Sequence, residues 1–314
     1  MLSVIIPSRQ PEFLQKTVDD LLLKAEGEIE VIVVFDGYWP EVMLTPDKRV
    51  RILQQGVFHE NFGMRRAIND AVKLANGEFI MKIDEHCMLD QGYDLKLASS
   101  CHEEAIVIPR RKRLNPDDWE LIEDGRPPID YMFVSYPYKN AFDRSSGLYG
   151  AEDKQLYYRR EGLIIDETMT MQGSCWFLRR DYFYKLLPDG MDESKYGMFN
   201  HEAQELSNTC WLSGGQVLVN KDTWYAHYHK GNRGKGYGFS NAQYKKFTAD
   251  KEKARRFAID YWLTTEDFKY NWKWLMEHFW PVPTWPEDWY NTIKTDARYD
   301  WRNDPSQQPT EWIE

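Results

Sequence analysis

No apolar run in this 314-residue chain approaches the ~20 residues a bilayer span requires; stretches such as Val31 to Phe35 are far too short. No basic segment stands ahead of Ser3-Val4-Ile5-Ile6-Pro7, which already reads as structure, so no membrane span and no secretory leader are expected. Cysteine is scarce. Cys87, Cys101, Cys175 and Cys210 lie far apart with no CxxC pair, which suits reduced structural thiols and a cytoplasmic protein. Positive charge is also short: the formal net charge is −10, which argues against a general nucleic-acid binder while leaving room for a local basic pocket. Low-complexity tracts and internal repeats are absent. What remains is a globular composition, 42% hydrophobic, in a chain long enough for one large α/β domain with an appendage or two small domains.

The first half alternates strand and helix signals. Leu2 to Pro7 is a short apolar run, followed by Phe13, Leu14, Val18, Leu21 and Leu22 at helical spacing. Glu30 to Phe35 is a β-branched run closed by Asp36-Gly37, and Val50 to Leu53 is a weaker strand. Met64 to Ala75 predicts a helix stopped by Asn76-Gly77, and Glu78 to Ile83 a strand running into Asp84-Glu85-His86. Such alternation implies a mostly parallel, doubly wound sheet whose ligand lies beyond the carboxyl ends of the strands, where Asp36 and Asp84 stand. Ala105 to Pro109 is a further strand. Arg110 to Glu167 reads as long polar loops, and regularity returns with helices near Asp181 to Leu187 and Glu202 to Leu212. Val217 to Val219 and Thr223 to His229 read as two strands, Gly231 to Gly238 as a mobile loop, and Asn241 to Trp262 as a helix ahead of a Trp-rich tail.

Several groups could carry chemistry, each with a plainer alternative. Residues i and i+2 at a strand end project to one side, so Asp84 and His86 can share an ion while Glu85 points away. A carboxylate with an imidazole suits Mn²⁺ or another borderline divalent cation better than Ca²⁺; a solvated acidic turn is the plainer reading. Asp36 can bind a nucleoside or simply make a turn. Glu202 and Glu205 are the catalytic candidates, or a charged helix face. His227 and His229 share one face of a strand, and one of them can supply a further metal ligand. Arg65 and Arg66 open a helix after Gly63, an arrangement suited to a diphosphate. Lys230, Arg233 and Lys235 in the glycine-rich loop could also neutralise one. The tail tryptophans either stack on sugars or bases, or pin the C-terminal extension onto the domain.

The order of these motifs resembles the nucleotide half of family 2 glycosyltransferases: SVIIPS from Ser3, VVFDG from Val33, NFGMRRA from Asn61 and GEFIMKIDEH from Gly77. The resemblance implies the GT-A fold, a nucleoside contact at Asp36 and an acidic metal-binding motif at Asp84-Glu85-His86. The final His is similar to the Asp-Ser-His-Cys motif of the polypeptide N-acetylgalactosaminyltransferases, and Asp84-Glu85-His86-Cys87 stands in that pattern. Gln172 to Phe183, Asn200 to Ser207 and Tyr225-Ala226-His227 continue the likeness, which covers about Leu2 to Lys230. It implies Mn²⁺ on Asp84, His86 and His227. Departures are Asn200-His201 where the family has Gly-Gly, and a Trp-rich tail in place of a lectin domain.

The expectation is therefore a metal-dependent glycosyltransferase acting on a nucleotide sugar, a UDP-sugar first, and on an acceptor hydroxyl of a glycan, protein, small molecule or modified DNA base. Pro7, Arg9, Asp36, Arg65, Arg66, Asp84, Lys230 and Arg233 form the set expected at the donor. Glu202 is a base if the enzyme inverts, and a donor or acceptor contact if it retains. The expected division is a catalytic domain over 1–240, split at 109/110 into nucleotide and acceptor halves, and a helical extension over 241–314. A nucleotidyltransferase and a non-catalytic sugar-binding module are the alternatives from other classes.

Overall fold

The computed structural model describes the chain apart from residues 10, 42, 58–59, 139–145, 230–240 and 296–314. Strands β1 (Leu2–Ser8), β2 (Ile29–Asp36), β3 (Val50–Gln55) and β4 (Phe79–Ile83) lie in the order β3-β2-β1-β4, all parallel. Helices α1 (Leu14–Lys24) and α2 (Met64–Leu74) make the crossovers. Every residue of β2 is buried, because the sheet is covered on both faces. Successive side chains go to opposite layers: Val31, Val33 and Phe35 pack with Leu14, Val18 and Leu21 of α1, and Ile32 and Val34 with Ala67, Ile68, Ala71 and Val72 of α2.

The second half completes a ten-stranded sheet. It contains β5 (Cys87–Leu89), α3 (Tyr93–Ser100), β6 (Ala105–Asn115), β7 (Glu120–Leu121), β8 (Met132–Val134), β9 (Gly150–Glu152), α4 (Lys154–Arg159) and β10 (Ile165–Glu167). Beyond these come β11 (Cys175–Arg179), α5 (Arg180–Leu186), α6 (Glu193–Tyr196), α7 (Glu202–Ser213) and β12 (Gln216–His227). The sheet runs β10-β12-β6-β11-β4-β1-β2-β3, with β5 on β12 and β7 on β6. β6 and β12 are parallel, but β11 enters antiparallel between β6 and β4, so the expected parallel half is continued as a mixed sheet.

Two sequence expectations are corrected here. The strand beginning at Ala105 does not stop at Pro109 but runs to Asn115, and the following stretch holds short strands and a helix rather than loops alone. The polar run Arg110 to Arg113 hid this, because three of its four charges are met locally. Arg110 pairs with Asp130 at 2.6 Å, Lys112 lies over the Trp224 ring, and Arg113 donates to Pro127 O. Likewise Val217 to Val219 and Thr223 onward are one strand, β12, interrupted only by a register shift between Asn220 and Trp224.

The extension comprises α8 (Asn241–Thr264), α9 (Trp272–Phe279) and α10 (Trp289–Thr295). Its described tryptophans mostly pin it to the domain. Trp262, Trp272 and Trp285 are buried in the same core as Leu206 and Trp211 of α7, and Trp285 Nε1 donates to Val134 O at 2.7 Å. Trp301 and Trp312 lie outside the described residues. Trp262 is 2% exposed, so Trp262→Ala is expected to cost about 3–5 kcal/mol. Urea unfolding followed by circular dichroism should show the midpoint fall; an unchanged midpoint would mean that the extension contributes nothing to the fold.

Candidate functional site

The tripeptide Asp84-Glu85-His86 joins β4 to β5, and β5 pairs with the far end of β12 so that Cys87 stands opposite His227. Tyr228 N donates to His86 O at 3.2 Å and closes the junction. Asp84, His86 and His227 thereby converge, with one ligand atom of each lying within 4.8 Å of the others. His86 Nε2 and His227 Nε2 are 3.1 Å apart, and His227 Nε2 is 3.2 Å from Asp84 Oδ2. His229 stays out of this set, its ring perpendicular to that of His227 with centroids 5.2 Å apart. Glu85 points the other way, accepting from Ser8 Oγ at 2.5 Å and from Arg9 N at 3.0 Å.

Burial lowers the pKa of His227 despite its contact with Asp84, which favours the neutral imidazole with a lone pair to offer. Two imidazole Nε2 atoms facing each other beside a carboxylate need a proton or a cation between them. Burial alone would raise the pKa of Asp84, but Lys82 and His227 reverse this and hold the carboxyl ionised. The residues fit a borderline divalent cation.

Lys82 is the group that the sequence reading missed. It is 1% exposed, yet burial's pressure against its charge is outweighed by Asp84 and Glu202, and its pKa rises. Its Nζ donates to Asp84 Oδ1 at 2.7 Å and to Gly173 O, and lies 3.5 Å from Glu202 Oε2. The available signal was a lysine inside an otherwise apolar strand, two residues before Asp84 and so on the same face. Glu202, 4% exposed at the start of α7, also accepts from Trp176 Nε1 at 2.6 Å. Burial raises its pKa, with Lys82 opposing. A Cβ on Gly173 would stand 2.8 Å from Glu202 Oε2, so a side chain in the turn that carries the acceptor of Lys82 would have to displace the Glu202 carboxylate. Lys82, Asp84, Gly173, Glu202, His227 and Arg111 share the wall of one open cavity of about 390 Å³.

The other expected residues are distributed differently. Arg65 and Glu205 are both buried and bonded to each other, and Arg65 also donates to Asn200 O. This single ion pair occupies both residues within the fold: Arg65 lies beneath α7, and Glu205, one turn along α7 from Glu202, faces α2. Arg66 is paired with Asp70 on α2 and lines a separate, larger recess of about 720 Å³ that holds none of the ligand set. Asp36 accepts from Phe62 N at 2.7 Å and Gly63 N at 2.8 Å, fixing the entry to α2. Pro7 pairs with Val34 in the sheet. The half-buried Arg9 guanidinium has its pKa lowered by burial, with Asp36 and Glu85 opposing, so these three lie together at the strand ends. Lys230, Arg233, Lys235 and the glycine-rich loop lie outside the described residues. His201 adopts φ +52°, a conformation that glycine reaches without strain.

The pattern described as Glycosyl transferase family 2 matches residues 3–187, more than half of the chain. The chain belongs to glycosyl transferase family 2. Membership of this family supports a glycosyltransferase over the nucleotidyltransferase alternative. This family 2 chain is 24% identical over 230 residues to the putative polypeptide N-acetylgalactosaminyltransferase 13 of Drosophila melanogaster, covering 66% of the chain and 37% of that protein. It is 28% identical over 167 residues to the probable N-acetylgalactosaminyltransferase 8 of Caenorhabditis elegans, covering 50% of the chain and 35% of that protein. The alignments thus span little more than a third of either relative's length. A GalNAc-T7 crystallised with UDP, GalNAc and Mn²⁺ superposes with a TM-score of 0.60 at 14% identity, covering 98% of this chain and 56% of that one. The shared fold is the α/β arrangement expected from the sequence.

Lys82→Met tests the charge balance of the site. Removing the ammonium leaves the buried Glu202 and the part-exposed Asp84 carboxylates without their cation, at an expected cost of about 3 kcal/mol. Thermal unfolding of the metal-free protein should register a clear loss; a variant as stable as the parent would show that the two carboxylates are not held by Lys82.

Proposed function

We propose that this glycosyltransferase takes a glycosyl group from a nucleoside diphosphate sugar, a UDP-sugar first, in the presence of Mn²⁺ or Mg²⁺, and passes it to an acceptor hydroxyl. One observation carries the reading: Asp84 and His86 meet the sequence-distant His227 within 4.8 Å, and Asp84 and His227 line the cavity beside β4. A divalent ion held by these three would supply Lewis-acid neutralisation of the diphosphate leaving group. The GalNAc-T7 whose fold this chain shares was crystallised with UDP and Mn²⁺, which supports the same pairing of ligands here.

The chain's own residues set the geometry. Lys82 occupies Asp84 Oδ1 and leaves Oδ2 toward the histidines. Trp176 and Lys82 hold the Glu202 carboxylate at the cavity wall, where it can accept a proton from the acceptor hydroxyl or contact the donor sugar. Arg9 and Asp36 mark the place for the nucleoside at the ends of β1 and β2. In this reading residues 1–109 handle the nucleotide and 110–240 the acceptor, while the described helices α8 to α10 of the 241–314 extension brace the domain. The acceptor belongs to a glycan, protein, small molecule or modified DNA base. No helix among the described residues is long and apolar enough to cross a membrane. The four cysteines are buried and unpaired, which suits the cytoplasm.

A donor-hydrolysis screen across UDP- and GDP-sugars, with Mn²⁺ and with chelator, tests the proposal. One donor is expected to be hydrolysed only with metal, and Asp84→Ala should lose roughly 100-fold or more of that turnover. Normal turnover by the folded Asp84→Ala protein would sink the assignment.

A further inference from the structure

Arg111 lies on β6 and lines the same cavity as Asp84 and His227. It is 5% exposed, and its Nε and Nη2 have no hydrogen-bond partner among the described residues. Nor does any carboxylate pair with it among them. Those two nitrogens form one edge of the guanidinium, the edge that grips planar oxyanions with two parallel bonds. The preceding residue shows the same edge in use: Arg110 Nε and Nη2 hold the two oxygens of Asp130 at 3.0 and 2.6 Å. Strand alternation sends Arg110 away from the cavity wall and Arg111 into it.

A buried, uncompensated guanidinium is costly unless something bound pairs with it. The charge inventory of the wall says what that is. Asp84 and Glu202 carry one negative charge each, and Lys82 and Arg111 one positive charge each, so the wall is neutral without Arg111's partner. A divalent cation on the histidine–aspartate set makes it net positive and complementary to a diphosphate or other oxyanion. Arg65, one of the arginines expected at the diphosphate, is already satisfied by Glu205 and Asn200.

We infer that Arg111 is the oxyanion-binding arginine of this site, taking two oxygens of a phosphate or carboxylate on the bound substrate through Nε and Nη2. The inference rests on the donor reading above in placing that substrate in the Asp84 cavity. The oxyanion comes either from the donor's diphosphate or from a carboxylate on the transferred sugar, and the two sources can be told apart.

The test is calorimetric titration of the full chain, wild type and Arg111→Met, with UDP, with inorganic pyrophosphate and with UDP-glucuronate, each in the presence of Mn²⁺. Thermal unfolding without ligand accompanies it. Because methionine removes an unpaired buried charge, the ligand-free variant should melt no lower than the parent. If the diphosphate is the partner, UDP and pyrophosphate should bind roughly 10- to 100-fold more weakly to the variant. If the partner is a sugar carboxylate, UDP affinity is kept and only UDP-glucuronate weakens by that factor. Unchanged affinity for all three ligands overturns the inference, and so does a variant that melts lower or fails to fold. Wild-type protein that binds pyrophosphate but not UDP would sink the UDP-sugar reading while leaving Arg111 as an oxyanion site. Wild-type protein that binds none of the three would end both.

Discussion

The antiparallel register of β5 on β12 is the constraint on which the chemistry of this chain depends. It sets His227 opposite Cys87, and so beside a tripeptide more than a hundred residues earlier in the chain. Side chains on a strand alternate, so a slip of one residue would turn His227 away and bring Ala226 or Tyr228 to the same place. The register is secured by burial on both sides: Ala226 and Tyr228 pack with Phe13 and Met88, and Tyr225 Oη is hydrogen-bonded to Ser174 at 2.7 Å. The packing of one short ribbon thereby aims three polar side chains at a point.

Around that point the charges are arranged in alternation. Lys82 stands between Asp84 and Glu202, ties both to the turn at Gly173, and so couples the end of β4 to the start of α7. One turn further along α7 a second buried pair, Arg65 with Glu205, couples the helix to α2. One helix thus carries two acidic residues with separate tasks. Glu202 faces the cavity, and Glu205 anchors the helix that presents it.

Much of this was legible in the sequence. The β-branched run ending at Asp36 and the helical spacing of Ala67, Ile68, Ala71 and Val72 give the parallel half directly, because binary pattern and period agree there. Asp84 and His86 could be paired from strand geometry alone, whereas His227 came from likeness to a family, since no local rule links residues so far apart. What stayed hidden is of one kind. Buried charges read as surface charges until their partners are known, so Lys82 passed unnoticed, Arg65 and Glu205 were assigned to ligands rather than to each other, and the charged end of β6 was taken for loop. The tail tryptophans were read with both uses open, and the described ones lie mostly in the core.

The account stands on one site shared by three side chains. Crystals grown with UDP and Mn²⁺ and measured on either side of the manganese absorption edge address it most directly. It predicts one anomalous peak within coordination distance, about 2.0–2.3 Å, of Asp84, His86 and His227, next to the diphosphate. A manganese peak elsewhere in the molecule, with His227 unligated, would contradict it.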